Sequence, residues 1–188
     1  MLKNEKDAGF TLIELLVVIA ILGILAAIGL VAFTSAQARG RDAKRKSDLK
    51  QIATALELYY SDYREYPPSS SGQIKGCPST GSGTACDWGA PDNTSAFMDD
   101  VTVYMRIVPA DPSGYNYYYR TVTIGNSLKQ GFQLYAHLEN PQDPSCLAGS
   151  LGKSNCAAPV VPAGVTSTSC GSVCNFALTS PNVTATDP

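Results

Sequence analysis

The chain has little to catalyse with. Its 188 residues hold a single histidine, His137. No glycine-rich phosphate loop, nucleophile elbow or Cys-x-x-Cys-His haem site occurs. It is read as a non-enzyme with no cofactor. Proline is missing before Pro67, although the chain has 12, so nothing in the first third breaks a helix. Cysteine is missing before Cys77. Charge is missing from Phe10 to Phe33 except at Glu14. A net charge of −2 gives no global attraction for nucleic acid, which is not an expected partner.

What fills the space left by these absences is an apolar run of Leu, Ile, Val, Ala, Phe and Gly over 10–33. Spanning a bilayer takes roughly 20 such residues, and a helix is the one single segment that satisfies its own backbone there. Gly23 and Gly29 weaken it by up to about 1 kcal/mol each relative to alanine. Past the run, Leu49, Ile52, Ala53, Leu56, Tyr59, Tyr60 and Tyr63 recur at helical spacing, with Lys50, Gln51, Thr54, Glu57 and Asp62 largely opposite. One helix from about residue 10 to about residue 64, ended by Pro67-Pro68, would be roughly 80 Å long. Between the two halves sit Arg39, Arg41, Lys44, Arg45, Lys46 and Lys50. The reading favoured for them is a solvated helix face or a contact with lipid headgroups; DNA contact is the rival.

The rest of the chain reads as a small antiparallel sheet with loops. YNYYYRTVTI (115–124) and GFQLYAHLE (131–139) form a hairpin joined through GNSLKQ. In the second strand Phe132, Leu134, Ala136 and Leu138 face one side, expected to pack on the Leu49–Tyr63 stripe. Gln133, Tyr135, His137 and Glu139 face the other, which makes His137 a surface residue. Segment 97–108 is ambiguous between helix and strand, and the tail from Pro141 is loop with one strand near Val173–Leu178. The expected class is α+β: a long N-terminal helix, apolar then amphipathic, packed on that sheet. Cys77, Cys86, Cys146, Cys156, Cys170 and Cys174 are disulfide candidates in an oxidising compartment. Six cysteines allow fifteen pairings, of which the short-range set is 77–86, 146–156 and 170–174. No metal site is assigned, since only Cys170 and Cys174 approach zinc spacing.

GFTLIELLVVIAILGILAAI (9–28) resembles the N-terminal signature of type IV pilins and type II secretion pseudopilins. VPADPSGYNYYY (108–119) is more loosely similar to a turn and strand of major pseudopilins. The resemblance implies four segments: a leader over 1–9, an anchoring and assembly half-helix over 10–36, an amphipathic half-helix over 37–66, and a globular head over 67–188. It implies that a prepilin peptidase cuts after Gly9, that Phe10 becomes an N-methylated terminus, and that Glu14 is needed for subunits to join. Partners are then other copies in a helical filament, the inner-membrane assembly machinery, and membrane lipid before assembly. The precursor would sit in a bacterial inner membrane and end in an extracellular pilus or a periplasmic pseudopilus. Two departures stand out. Val31 lies where many relatives have a proline, and the calcium-binding loop of the major pseudopilin is not recognisable, although Asp143 keeps the question open.

The physical argument runs beside the resemblance. An acid in mid-membrane costs about 2.5–3.5 kcal/mol, and cutting after Gly9 creates an α-amine on Phe10. That amine on one subunit and Glu14 on a neighbour are matched charges in a low dielectric. Readings carried forward are a major pilin, a pseudopilin and a monomeric membrane-anchored binding domain. A conventional signal peptide cut after Ala36-Gln37-Ala38 would instead release a chain starting at Arg39. One conflict stays in view. The basic cluster after Phe33 favours a cytoplasmic C-terminal part, whereas the cysteines and the resemblance place that part outside.

Overall fold

In a computed structural model of the chain, residues 10–77, 84–90, 96–99, 101–125, 127–149, 156–166 and 169–187 are described. They fall into two compact units that divide between Ala38 and Arg39. Helix α1 runs from Leu12 to Tyr63, 52 residues without a break, as a stretch free of proline allows. It stops ahead of the Pro67-Pro68 pair. Arg64 takes a left-handed φ of 59° and its N–H donates to the Tyr60 carbonyl at 2.8 Å, which closes the last turn.

The strands are short and antiparallel. β1 (Ser69–Ser70), β2 (Gln73–Cys77) and β3 (Thr84–Ala85) form one sheet. β4 (Phe97–Met98) and β5 (Val103–Met105) pair as a second, so the ambiguous 97–108 segment holds two short strands. Its turn is built by Asp99, whose Oδ1 accepts the Val101 and Thr102 amides at 2.7 and 2.5 Å. The main sheet has the order β6 (Tyr118–Ile124), β7 (Ser127–Ala136), β8 (Phe176–Thr179). Tyr118 faces Tyr135 and Ile124 faces Ser127, so Ser127–Gln130, assigned to the connection from sequence, belongs to the strand. A register shift between Val122 and Ile124 and a φ of 54° at Lys129 absorb the irregularity.

The core lies between α1 and the inner face of this sheet. Leu49, Ile52 and Leu56 are buried together with Phe132, Leu134, Tyr117, Tyr119 and Val108. The outer face of β7 is not wet, contrary to the alternation expected from its sequence. Gln133 and Tyr135 are fully buried, because the C-terminal segment folds over them. Gln133 Nε2 donates to the Thr184 and Asp187 carbonyls at 2.6 and 3.1 Å, and Tyr135 Oη to that of Ala185 at 2.7 Å. The tail lies so close that a Cβ on Gly131 would stand 2.2 Å from Val183 Cγ2.

β7 also ends earlier than the alternation suggests, at Ala136. Beyond it Asn175 replaces a strand neighbour, accepting from the Leu138 amide at 2.6 Å and donating to the Leu138 carbonyl at 2.9 Å. His137 is half-buried rather than on the surface. Its Nδ1 lies 2.8 Å from the Val173 carbonyl and its ring stands edge-on to Tyr115. Disulfides join Cys77 to Cys86, Cys146 to Cys156 and Cys170 to Cys174.

Candidate functional site: a capped apolar helix start and a buried ionic cluster

The first unit is a helix with its apolar side chains turned outward. From Leu12 to Leu30 the large apolar side chains are 45–84% exposed, and Phe10 is 77% exposed. The helix is long and apolar enough to cross a membrane. At its start Thr11 and Glu14 cap each other. The Thr11 amide and hydroxyl donate to Glu14 Oε2 at 2.9 and 2.5 Å, and the Glu14 amide donates to Thr11 Oγ1 at 3.3 Å. This is a capping box, with threonine at the N-cap and the acid three residues on. The Thr-x-x-Glu spacing was there to be read in the sequence, which singled out Glu14 but passed over Thr11. Gly9 lies outside the described residues, so the Gly9–Phe10 bond has no described geometry. Ala36, Gln37 and Ala38 all lie within α1.

The second unit holds a dense polar arrangement at the start of its stretch of α1. Arg45 is fully buried. Its Nε and Nη2 donate to the two oxygens of Asp111 at 2.6 and 3.0 Å, a two-pronged contact that a guanidinium is shaped to make. Nη1 reaches Asp42 at 2.7 Å, and Nη2 reaches Glu139 at 2.7 Å and Ser113 at 3.0 Å. Tyr115 covers the guanidinium, 5.5 Å from its ring centre. Asp42 also accepts the Glu139 and Asn140 amides, at 2.9 Å each. Around this centre Arg41 grips Glu139, Lys46 reaches Asp143 at 2.7 Å, and Lys44 meets Asp48 at 2.9 Å. Tyr117 donates to Asp48 at 3.0 Å.

Four of the six basic residues are therefore ion-paired; the reading of them as a solvated face fails for the fully buried Arg45 and is only partial for Arg41 and Lys46, whereas Lys44 stays exposed as that reading expects. The cause is legible afterwards. Arg45 precedes Leu49 by four residues and Ile52 by seven, so it lies on the same helix face as the apolar stripe. Apart from Asp42, three residues earlier on α1, its partners come from the PADPSG turn and from Glu139, too distant in sequence to be seen by periodicity. The pairing also bears on the orientation conflict, because the cluster is not a free positive flank once the head has folded.

Electrostatics follow the contacts. Hydrogen bonds from Arg41 hold the Glu139 carboxyl down to about 2, with Arg45 and Ser113 adding to them and burial opposing. Burial works against the charge on Arg45, but Asp111, Glu139 and Asp42 together reverse that and raise its pKa. Burial also pulls Asp143 towards its neutral form; the hydrogen bonds from Lys46 and Ser145 prevail and lower its pKa. Asp143 is thus committed to Lys46, and among the described residues no group of three or more His, Cys, Asp or Glu stands ready for a metal ion.

The family described as "Prokaryotic N-terminal methylation motif" matches residues 5–30. Type II secretion system core protein G of Pseudomonas aeruginosa is 31% identical over 136 residues, which is 72% of this chain and 85% of that protein. Type IV major pilin protein PilA of Myxococcus xanthus is 44% identical over 63 residues, 34% of this chain and 29% of that protein. A fimbrial protein of Neisseria meningitidis is 38% identical over 80 residues, covering 47% of its length. The chain thus spans most of the secretion protein but under half of the two pilus proteins. No solved structure matches.

Proposed function

The chain belongs to the family of type IV pilins and type II secretion pseudopilins, and on that premise we propose that it is the major subunit of a type IV pilus. Members of this family are structural, non-enzymatic subunits, made as membrane-anchored precursors with an apolar N-terminal helix. They are processed by prepilin peptidase and form helical filaments. The segments are read as a leader over 1–9, an anchoring and assembly half-helix over 10–36, an amphipathic half over 37–66, and a head over 67–188. Cleavage falls between Gly9 and Phe10, and Phe10 is then methylated on its new amine.

The observation that carries this reading is the lone acid at the start of an exposed apolar helix. Among the described residues the hydrogen-bond partner of Glu14 is Thr11, three positions earlier in the same chain. That contact supplies donors but no positive charge. The α-amine of a neighbouring Phe10 supplies one, in surroundings where attraction is strong and an unmatched charge is penalised. Apolar packing of helix against helix adds most of the adhesion, and the Glu14–Phe10 pair sets the axial step.

Assignment to a surface pilus rests on the head, whose three disulfides brace loops that an exposed fibre presents to the medium. The pseudopilin reading is kept because the core protein G match extends over 85% of that protein. Electron microscopy of cells producing the chain, with N-terminal sequencing of the mature protein, tests both. Long surface fibres and Phe10 as first residue are expected. Short periplasmic fibres seen only on overproduction favour the pseudopilin. A mature chain starting at Arg39 overturns the whole assignment. A bulky residue in place of Gly9 should leave the full-length precursor on a gel.

A further inference from the structure

The apolar stripe of α1 does not say where along the helix the head belongs. Leu49, Ile52, Ala53, Leu56, Tyr59 and Tyr60 put an apolar side chain towards the core at every turn. Sliding the head along by one turn, about 5.4 Å, would again set apolar on apolar, with Leu56 in the place of Ile52 and Ala53 in that of Leu49. The ionic cluster does not repeat in this way. Advancing α1 by four residues would bring Leu49 among Asp111 and Glu139 and leave the buried Asp111 without a cation. Moving it back by four would bring Arg41 into the cage but drive Arg45 into the dry site of Leu49. It would also put Ala38 where Asp42 receives the Glu139 and Asn140 amides at 2.9 Å.

We infer that Arg45, with Asp42 and Asp111, is the register key of the head: a positioning group that permits one placement on α1 and penalises its neighbours. Buried ion clusters are poor sources of net stability, since desolvation offsets most of the attraction, and their best-attested use is to specify register. The contacts here fit that use. Asp111 comes from the turn before β6 and Glu139 from the chain after β7, so the guanidinium ties both ends of the main hairpin to a single turn of α1. This inference rests on the fold alone and does not require filament formation.

The test uses the full chain in detergent micelles and two variants. Arg45→Met leaves Asp42 and Asp111 buried without their cation; Arg45→Met with Asp42→Asn and Asp111→Leu removes all three buried charges. Unfolding is followed by the fluorescence of Trp88, which stands edge-on to Tyr117 at 5.9 Å, and register by methyl NMR of Leu49, Ile52 and Leu56. The single variant should melt roughly 10 °C lower. The triple variant should melt at or above the wild-type midpoint while its Ile52 and Leu56 methyls split into two or more sets of cross-peaks. A stable triple variant with one set of methyl signals and unchanged contacts to Phe132 and Leu134 would overturn the inference. So would a triple variant destabilised as much as the single one, because the cluster would then serve stability alone.

Discussion

The two units of this chain treat their charges and their apolar surface in opposite ways. From Arg39 onward most polar groups of the described residues are met inside the chain: Arg45 has three carboxylates, Asp42 three donors, and the outer face of β7 its own C-terminal cover. From Phe10 to Phe33 little is met. The described large apolar side chains are about half exposed or more, and among the described residues the one acid finds a local cap. A chain that can bury an arginine completely in one unit has not failed to fold in the other. The first unit has the length and apolar composition of a membrane-crossing helix, and under the proposed function lipid or further copies of the chain would complete it.

The largest expected effect breaks that contrast at its most exposed point. Glu14→Ala should leave the protein processed and membrane-bound while sheared filaments fall to background on immunoblots. Wild-type amounts would remove the assembly role. Within the head, Leu56→Ala should cost about 2–5 kcal/mol in urea unfolding, the range for a buried leucine whose site cannot fully collapse. The same exchange at exposed Leu25 should leave head unfolding unchanged. Replacing Cys170 and Cys174 together by serine should cost about 2 kcal/mol, since a bridge over so short a loop restrains the unfolded chain least.

Acid should separate the units further. An ordinary glutamate titrates near 4.5, and Glu139 is held at about 2 in the fold. A carboxyl with a depressed folded pKa gives stability that is whole above about pH 4.5 and is lost as pH falls towards 2. Asp143 is lowered as well and pulls the same way. Unfolding measured across this window should show a falling limb that Glu139→Gln flattens. The smallest effect is expected at Lys129 and Glu65, a half-exposed pair at 2.9 Å. Lys129→Ala should change stability by less than about 1 kcal/mol, and a larger loss would mean the head's rim is tighter than its exposure suggests.

Sequence alone carried some features of this fold and missed others, for physical reasons. The helix and its stripe were legible because periodicity is a local property, as was the β6–β7 hairpin. The 20-residue signature around Glu14 pointed to the family directly. Three features stayed hidden. Arg45 looks like any basic residue until Asp111 and Glu139 arrive from 66 and 94 positions away. The second face of β7 reads as polar because Gln133 and Tyr135 carry polar atoms, and only the tail's carbonyls reveal them as buried donors. His137 reads as a surface residue on a continuing strand, whereas the chain leaves the strand at Ala136 and turns it towards Tyr115.

The three bridges close loops of nine, ten and four residues' separation, and each bridge joins two cysteines that are consecutive along the chain. A polypeptide threaded through a membrane from its N-terminal side delivers its thiols to the oxidising side in that same order. Each pair can close as soon as its second member emerges, with no thiol waiting for a distant mate. Nearest-neighbour closure is also the route with the smallest loops, hence the least entropic resistance, so scrambled pairings have little time to form. For a head exported in that way, each clasp could close in turn before the last strand arrived to fill the sheet.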